Sequence, residues 1–109
     1  MIYELRTYWA NPGKIDDLLN RFRTLTMGLF ARHNMQVVGF WTPQQETEET
    51  GSLVYMMCFE SVEAMQKGWE TFRTDEEWIT GKAASEVNGV LTARVQSIVM
   101  DPTDFSPLK

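Results

Sequence analysis

The apolar positions of this chain switch between the alternation of a strand and the three-to-four spacing of a helix, and the switches fall at turn-forming residues. Ile2 to Trp9 is rich in β-branched and aromatic types and free of Gly and Pro, which predicts a first strand. It stops at Asn11-Pro12-Gly13, where Asn11 suits a helix N-cap and Pro12 the first helical position, whose N–H is unpaired in any case. Ile15, Leu18, Leu19, Phe22, Leu25, Leu29 and Phe30 then recur on one side, with Asp16, Asp17, Asn20, Arg21, Arg23 and Thr24 on the other. That pattern predicts one long amphipathic helix, weakened at Gly28 and closed by Asn34 as a left-handed C-cap.

Met35 to Thr42 and Leu53 to Glu60 read as the second and third strands of a hairpin. The stretch between them (PQQETEETGS) has no apolar residue and is expected to be a mobile, solvated loop. Ser61 is placed to cap a second helix with Val62, Met65, Trp69 and Phe72 along one side. Thr74 followed by Glu77 has the form of a capping box, so the helix is expected to break and restart there, carrying Trp78, Ile79, Ala83, Ala84 and Val87 inward. Asn88-Gly89 ends it, and Val90 to Met100 reads as the fourth strand.

The order β-α-β-β-α-β is the split arrangement of an α+β, ferredoxin-like fold, a four-stranded antiparallel sheet with both helices on one face. In the second strand Met35, Val37 and Trp41 are expected to point one way and Val38 and Phe40 the other. In the third, Leu53, Tyr55, Met57 and Phe59 oppose Val54, Met56 and Cys58. Both faces are therefore apolar, and no further helix is available to cover the second. The expected cover is a second copy of the chain, giving a homodimer through the open sheet face. Residues 1–100 are read as one domain and 101–109 as an extended tail, since Pro102 and Pro107 bar a regular strand while Phe105 and Leu108 look like anchors.

Composition agrees with a single domain: 109 residues, 43% hydrophobic and 23% charged, suffice for one core. Cys58 is the sole cysteine, which rules out an internal disulfide. It reads either as a small core residue or as a thiol activated by His33. A net charge of −5 with the basic residues scattered among acids argues against nucleic-acid binding. No segment is apolar for long enough to span a bilayer, and the chain opens directly into a strand pattern, so the expected setting is cytoplasmic, away from membranes.

Glu4, Arg6 and Tyr8 share one face of what should be a central strand, where charge is costly unless paired or wetted. As catalytic candidates, Arg6 holds an anionic group, Glu4 acts as base or orients Arg6, and Tyr8 donates a proton or hydrogen bond. The alternative is a structural ion pair with Tyr8 packed over it. His33 is either a base or axial haem ligand, or simply a partner for the end of the first helix. Trp41, Tyr55, Trp69 and Trp78 are candidates to wall a pocket for a planar organic ligand, with core packing as the alternative. No ligand spacing suggests a metal, and no glycine-rich phosphate loop or serine elbow suggests a nucleotide cofactor or hydrolase chemistry, so no cofactor is assigned.

The opening MIYELRTY (Met1 to Tyr8), Pro12-Gly13-Lys14, the VGFW of Val38 to Trp41, the DEEW of Asp75 to Trp78 and the PTDFSPL of Pro102 to Leu108 together resemble the NIPSNAP family over essentially the whole chain. The resemblance implies the dimeric α+β barrel superfamily. Its members include cofactor-independent monooxygenases, haem-degrading enzymes, chlorite dismutases and muconolactone isomerases, which commonly hold ligands between sheet and helices. Two functions are therefore carried forward: a small-molecule-binding protein or enzyme of monooxygenase-like or isomerase-like type, and a non-catalytic homodimeric interaction module.

Overall fold

The computed structural model describes residues 1–109. It is an α+β fold built on β1 (Ile2–Ala10), β2 (Gln36–Trp41), β3 (Leu53–Phe59) and β4 (Thr92–Met100). The strands lie in the order β2-β3-β1-β4 and every pairing is antiparallel. β1 is thus an inner strand, with Arg6 opposite Tyr55 of β3 on one side and Ser97 of β4 on the other. One face of this sheet packs under helices. Leu18, Phe22, Leu29, Phe30, Trp69 and Phe72 from the helical layer meet Ile2, Leu53, Tyr55, Met57 and Phe59 from the sheet to form the core.

The first helical region differs from the expected single α-helix in two ways. It begins at Ile15, after Pro12 and Gly13 have been spent in a turn. It is then interrupted: α1 (Ile15–Arg21) passes into a π-helical turn (Phe22–Thr26) before α2 (Met27–Arg32). The wider turn inserts one residue into the helical phase. Thr26 is buried within this turn, and Arg21, the last residue of α1, is buried just before it beside Phe22. Asn34 adopts the left-handed conformation expected of it, with φ of 55°.

α3 (Val62–Thr74) starts as the sequence indicates, with the Ser61 hydroxyl accepting the Ala64 N–H at 3.1 Å. The helix breaks where expected, but the cap of α4 (Glu76–Ser85) is Asp75, not Thr74. Its carboxylate accepts the Glu77 N–H at 2.9 Å, whereas the Thr74 hydroxyl bonds back to the carbonyl of Glu70 within α3. The inward stripe expected for α4 does not form. Ile79 and Val87 are exposed, and no residue of the helix is fully buried. What docks α4 is a close approach at Gly81, where a Cβ would lie 2.6 Å from Leu25 Cδ2, together with the half-buried ring of Trp78.

β2 carries a bulge that shifts the register between Val37 and Gly39, leaving Val38 as the extra residue. Val37 and Phe40 consequently both pack against the helix-side core, where strict alternation would separate them, and Trp41 turns to the open face. That face carries Leu5, Val54, Met56, Ile98 and Trp41, the last two 44% and 52% exposed. At the hairpin, Gly51 has φ of +76°, and a Cβ there would lie 2.5 Å from Thr7 Cγ2 and 3.1 Å from the Tyr8 carbonyl oxygen. Thr47 and Thr50 bond to each other across the loop, and Trp9 Nε1 donates to the Glu48 carbonyl at 2.7 Å, so the acidic connection is tied to the end of β1.

Gly51→Ala is expected to lower stability by about 1–3 kcal/mol through strain at an enforced positive φ, read from urea unfolding. A second expectation concerns the helix break. Hydrogen bonds from Arg32 and from His33 hold Asp75 down at about 2, against an ordinary 3.8, with burial opposing and the Glu77 N–H assisting. A depressed folded value stabilises the fold at pH above the ordinary value and loses that effect as pH falls through the folded one. The Tm difference between the wild type and Asp75→Asn should therefore be full near neutral pH and close as pH falls from about 4 to about 2.

Candidate functional site

Alternation along β1 sends Ile2, Glu4, Arg6 and Tyr8 toward the helices, and that face is closed over the first three. Glu4 and Arg6 are 3% and 8% exposed. Each charge is matched atom by atom. Arg6 Nη1 donates to Glu4 Oε2 at 2.9 Å, Nε to the Tyr55 hydroxyl at 2.8 Å, and Nη2 to the Tyr8 hydroxyl at 3.4 Å. The other carboxylate oxygen of Glu4 accepts Trp69 Nε1–H at 2.6 Å, and Ser97 Oγ donates to Oε2 at 2.5 Å. The Arg6 guanidinium lies 4.3 Å from the centre of the Trp69 ring. Burial works against the Arg6 charge, but the oxygens of Tyr55 and Tyr8 and the Glu4 carboxylate outweigh it and hold its pKa above the ordinary value.

Proton order within this network follows from burial. Tyr55 is fully buried and already accepts from Arg6, so its own proton has one oxygen in reach, that of Tyr8 at 3.1 Å. Burial first, and Tyr8 next, push the Tyr55 phenol well above its ordinary value despite the opposing charge of Arg6, so it stays a donor. Tyr8 thus receives protons from Tyr55 and Arg6, and its own O–H is left to be donated elsewhere.

Tyr8 lines a partly enclosed cavity of about 110 Å³ between the sheet and the helices. Phe22, Phe30, Trp69, Phe72 and Trp78 form its aromatic walls, Thr26 and Arg21 come from the π-helical region, and Lys82 of α4 and Thr92 and Val95 of β4 complete it. The π turn matters here because it brings Phe22 edge-on to Tyr8 and Tyr55, at 5.5 Å and 5.3 Å, while exposing Thr26 to the same space. The helical layer stops short of β4, whose residues are nearly all exposed on both faces. The cavity therefore adjoins an uncovered strand.

The structure unites five of the eight residues singled out from the sequence, Glu4, Arg6, Tyr8, Tyr55 and Trp69, in one hydrogen-bonded network, and sets a sixth, Trp78, on the wall of the adjoining cavity. Two lie elsewhere. His33 caps α2, and its Nε2 is 2.7 Å from Asp75 Oδ2 beside Arg32, in a clasp between helices. Trp41 is on the opposite face of the sheet with its ring folded over Gly39. Cys58 and His33 both line an open groove at the sheet end, with the ring nitrogen of His33 engaged by Asp75. No group of three or more His, Cys, Asp or Glu side chains is arranged to hold a metal, and no helix is long and apolar enough to cross a membrane. Sequence reasoning passed over Arg21, Ser97 and Lys82. For Arg21 a signal existed, since it follows the buried Leu18 by three positions and so shares its helical side.

Because Glu4 would be left buried and unpaired, Arg6→Met is expected to cost about 3–5 kcal/mol in urea unfolding, and adding Glu4→Gln should restore part of the loss by removing the orphaned charge.

A NIPSNAP family model matches residues 3–107. No curated protein matches the chain in sequence. Among solved structures, a NIPSNAP family protein from Agrobacterium tumefaciens is 22% identical with a TM-score of 0.84, covering 99% of this chain and 98% of that one. An uncharacterized NIPSNAP domain protein from Burkholderia xenovorans is 21% identical with a TM-score of 0.81, over 98% and 99% of the two chains. More distantly, an antibiotic biosynthesis monooxygenase shares the fold at 14% identity and a TM-score of 0.61, over 94% of this chain and 99% of that one.

Proposed function

The chain belongs to the NIPSNAP family, and from that premise we propose that it is a homodimeric small-molecule-binding protein whose pocket is the aromatic cavity between sheet and helices. The observation that carries this reading is the partly enclosed cavity of about 110 Å³, ringed by Phe22, Phe30, Trp69, Phe72 and Trp78, into which one phenolic donor, Tyr8, opens from a buried ion-pair network. A concave site lined mainly by aromatic rings, with a small number of placed polar groups, is the common form of a binding site for a small organic molecule. The chemistry it suits is cofactor-independent and of monooxygenase-like or isomerase-like type. Tyr8 donates to a ligand oxygen as negative charge develops there, and Arg6, held by Glu4, steadies the phenols behind it. Glu4 in this scheme is a positioning residue, since both of its oxygens are engaged by Arg6, Ser97 and Trp69.

The homodimer is supported by the open sheet face, where Leu5, Val54, Met56, Ile98 and Trp41 form a surface of the kind a second sheet covers. The tail, residues 101–109, belongs to the same reading. Phe105 is 83% exposed in the single chain while Pro102, Ser106 and Leu108 line a shallow groove beside Tyr3 and Met56, so the tail runs toward the proposed seam. A cytoplasmic setting fits the single buried, unpaired Cys58. A non-catalytic homodimeric interaction module is the second reading, favoured by the engagement of Arg6 Nε, Nη1 and Nη2 within the protein itself.

Native mass spectrometry of the purified protein is expected to give the mass of two chains, with additional non-polypeptide mass released on denaturation. Ile98→Asp is expected to shift the species to one chain. A monomeric wild type without retained mass would contradict both halves of the proposal.

A further inference from the structure

Arg21 is 95% buried by its 5% exposure, yet its Nε–H has no hydrogen-bond partner, the one buried side-chain polar atom of the protein left so. Buried polar groups are nearly always paired, and a guanidinium N–H is among the most costly to leave alone. The contacts Arg21 does make run through Nη1, to Ser85 Oγ at 3.2 Å and Glu86 Oε2 at 3.4 Å. Nor is its charge matched. Glu86 is shared with Lys82, whose Nζ is 2.8 Å from Oε1, so two cations face one carboxylate. Asp17, one turn earlier on the same helix, lines the outer groove and forms no ion pair with Arg21.

Arg21 and Tyr8 line the same cavity, and each brings a donor that the protein does not use. We infer that the cavity binds a compact aromatic or unsaturated carboxylic acid, its carboxylate on Arg21 and Tyr8 and its flat body against the aromatic walls. This rests on the pocket reading above and adds the chemical class of the ligand. A planar carboxylate matches the free edge of a guanidinium and accepts from a phenol at the same time. A phosphate ester brings a second negative charge, and the remaining cation, Lys82, is already paired with Glu86. At about 110 Å³ the cavity is smaller than the roughly 150 Å³ that takes a benzene ring, so the acid must be compact and part of it must sit in the open mouth beside β4. The guanidinium of Arg21 lies 5.3 Å from the Trp78 ring centre, which sets the charge against the end of the aromatic wall. Entry is on the β4 side, where Val95 lines the cavity and is 43% exposed.

The probes are benzoate and its neutral isostere benzamide, titrated into the full chain and followed by tryptophan fluorescence and saturation-transfer NMR. Benzoate is expected to bind at least about tenfold more tightly than benzamide. Arg21→Met should remove that preference. Since Arg21→Met also breaks the contact with Glu86 and can unfold the protein, Tyr8→Phe serves as the second variant: it keeps the ring, removes the acceptor of the Tyr55 proton at a modest cost in stability, and should weaken benzoate several-fold more than benzamide, whose neutral carbonyl accepts the weaker bond. Equal binding of the two probes, unaffected by either variant, overturns the carboxylate assignment and leaves the pocket reading standing. Failure of both probes to bind overturns the assignment as well, and the pocket reading is then decided separately by the mass of retained ligand.

Discussion

An ion pair in the middle of a β-sheet is tolerable only when the chain supplies a partner for every polar atom it carries, and this requirement organises the molecule around Glu4 and Arg6. The partners come from three elements besides β1: Tyr55 on β3, Ser97 on β4 and Trp69 on α3. A slip of one residue in the pairing of β1 would turn Glu4, Arg6 and Tyr8 to the open face and leave those partners empty. The network therefore disfavours wrong registers more strongly than it adds net stability, because a satisfied buried pair is close to neutral while a broken one is expensive. It also sets the angle at which α3 meets the sheet, since the indole nitrogen of Trp69 must reach one particular carboxylate oxygen.

The cavity is a consequence of how the helical layer is built around that fixed centre. Arg21 is carried inward on the side of α1 that also holds Leu18. The π turn that follows buries Thr26 beside the same space, and π turns of this kind recur at functional sites. α4, docked through Gly81 and Trp78, leans against this region and leaves β4 uncovered. The result is a space walled by aromatic rings, with a buried network on one side and a partly neutralised guanidinium on another. The solved NIPSNAP family structures share the fold. The likeness to a monooxygenase is one of fold, so any activity has to be argued from the side chains.

Much of the architecture was legible along the chain. Strand alternation in β1 and β3, the Ser61 cap and the left-handed Asn34 are local devices, each set by a few neighbouring residues and a backbone preference, and the structure keeps all of them. The grouping of Glu4, Arg6 and Tyr8 on one face was legible for the same reason, a period of two. Departures occur where a single inserted residue changes the phase: the bulge at Val38 and the π turn at Phe22–Thr26. Neither has a strong local signature, because each is stabilised by what the displaced side chains meet on another element.

What the sequence by itself determined is the fold class, the element order, and the fact that charged and aromatic residues of β1 must be buried together. Tertiary structure alone decided that Arg6 is fully engaged while Arg21 is not, that His33 serves a helix clasp, and that Trp41 lies across the sheet from the cavity. The division has a physical origin. Propensity and periodicity act over neighbouring residues, whereas the pairing of a proton or a charge depends on atoms brought together from far along the chain, as Tyr55 and Ser97 are brought to Arg6 and Glu4 across 49 and 93 positions.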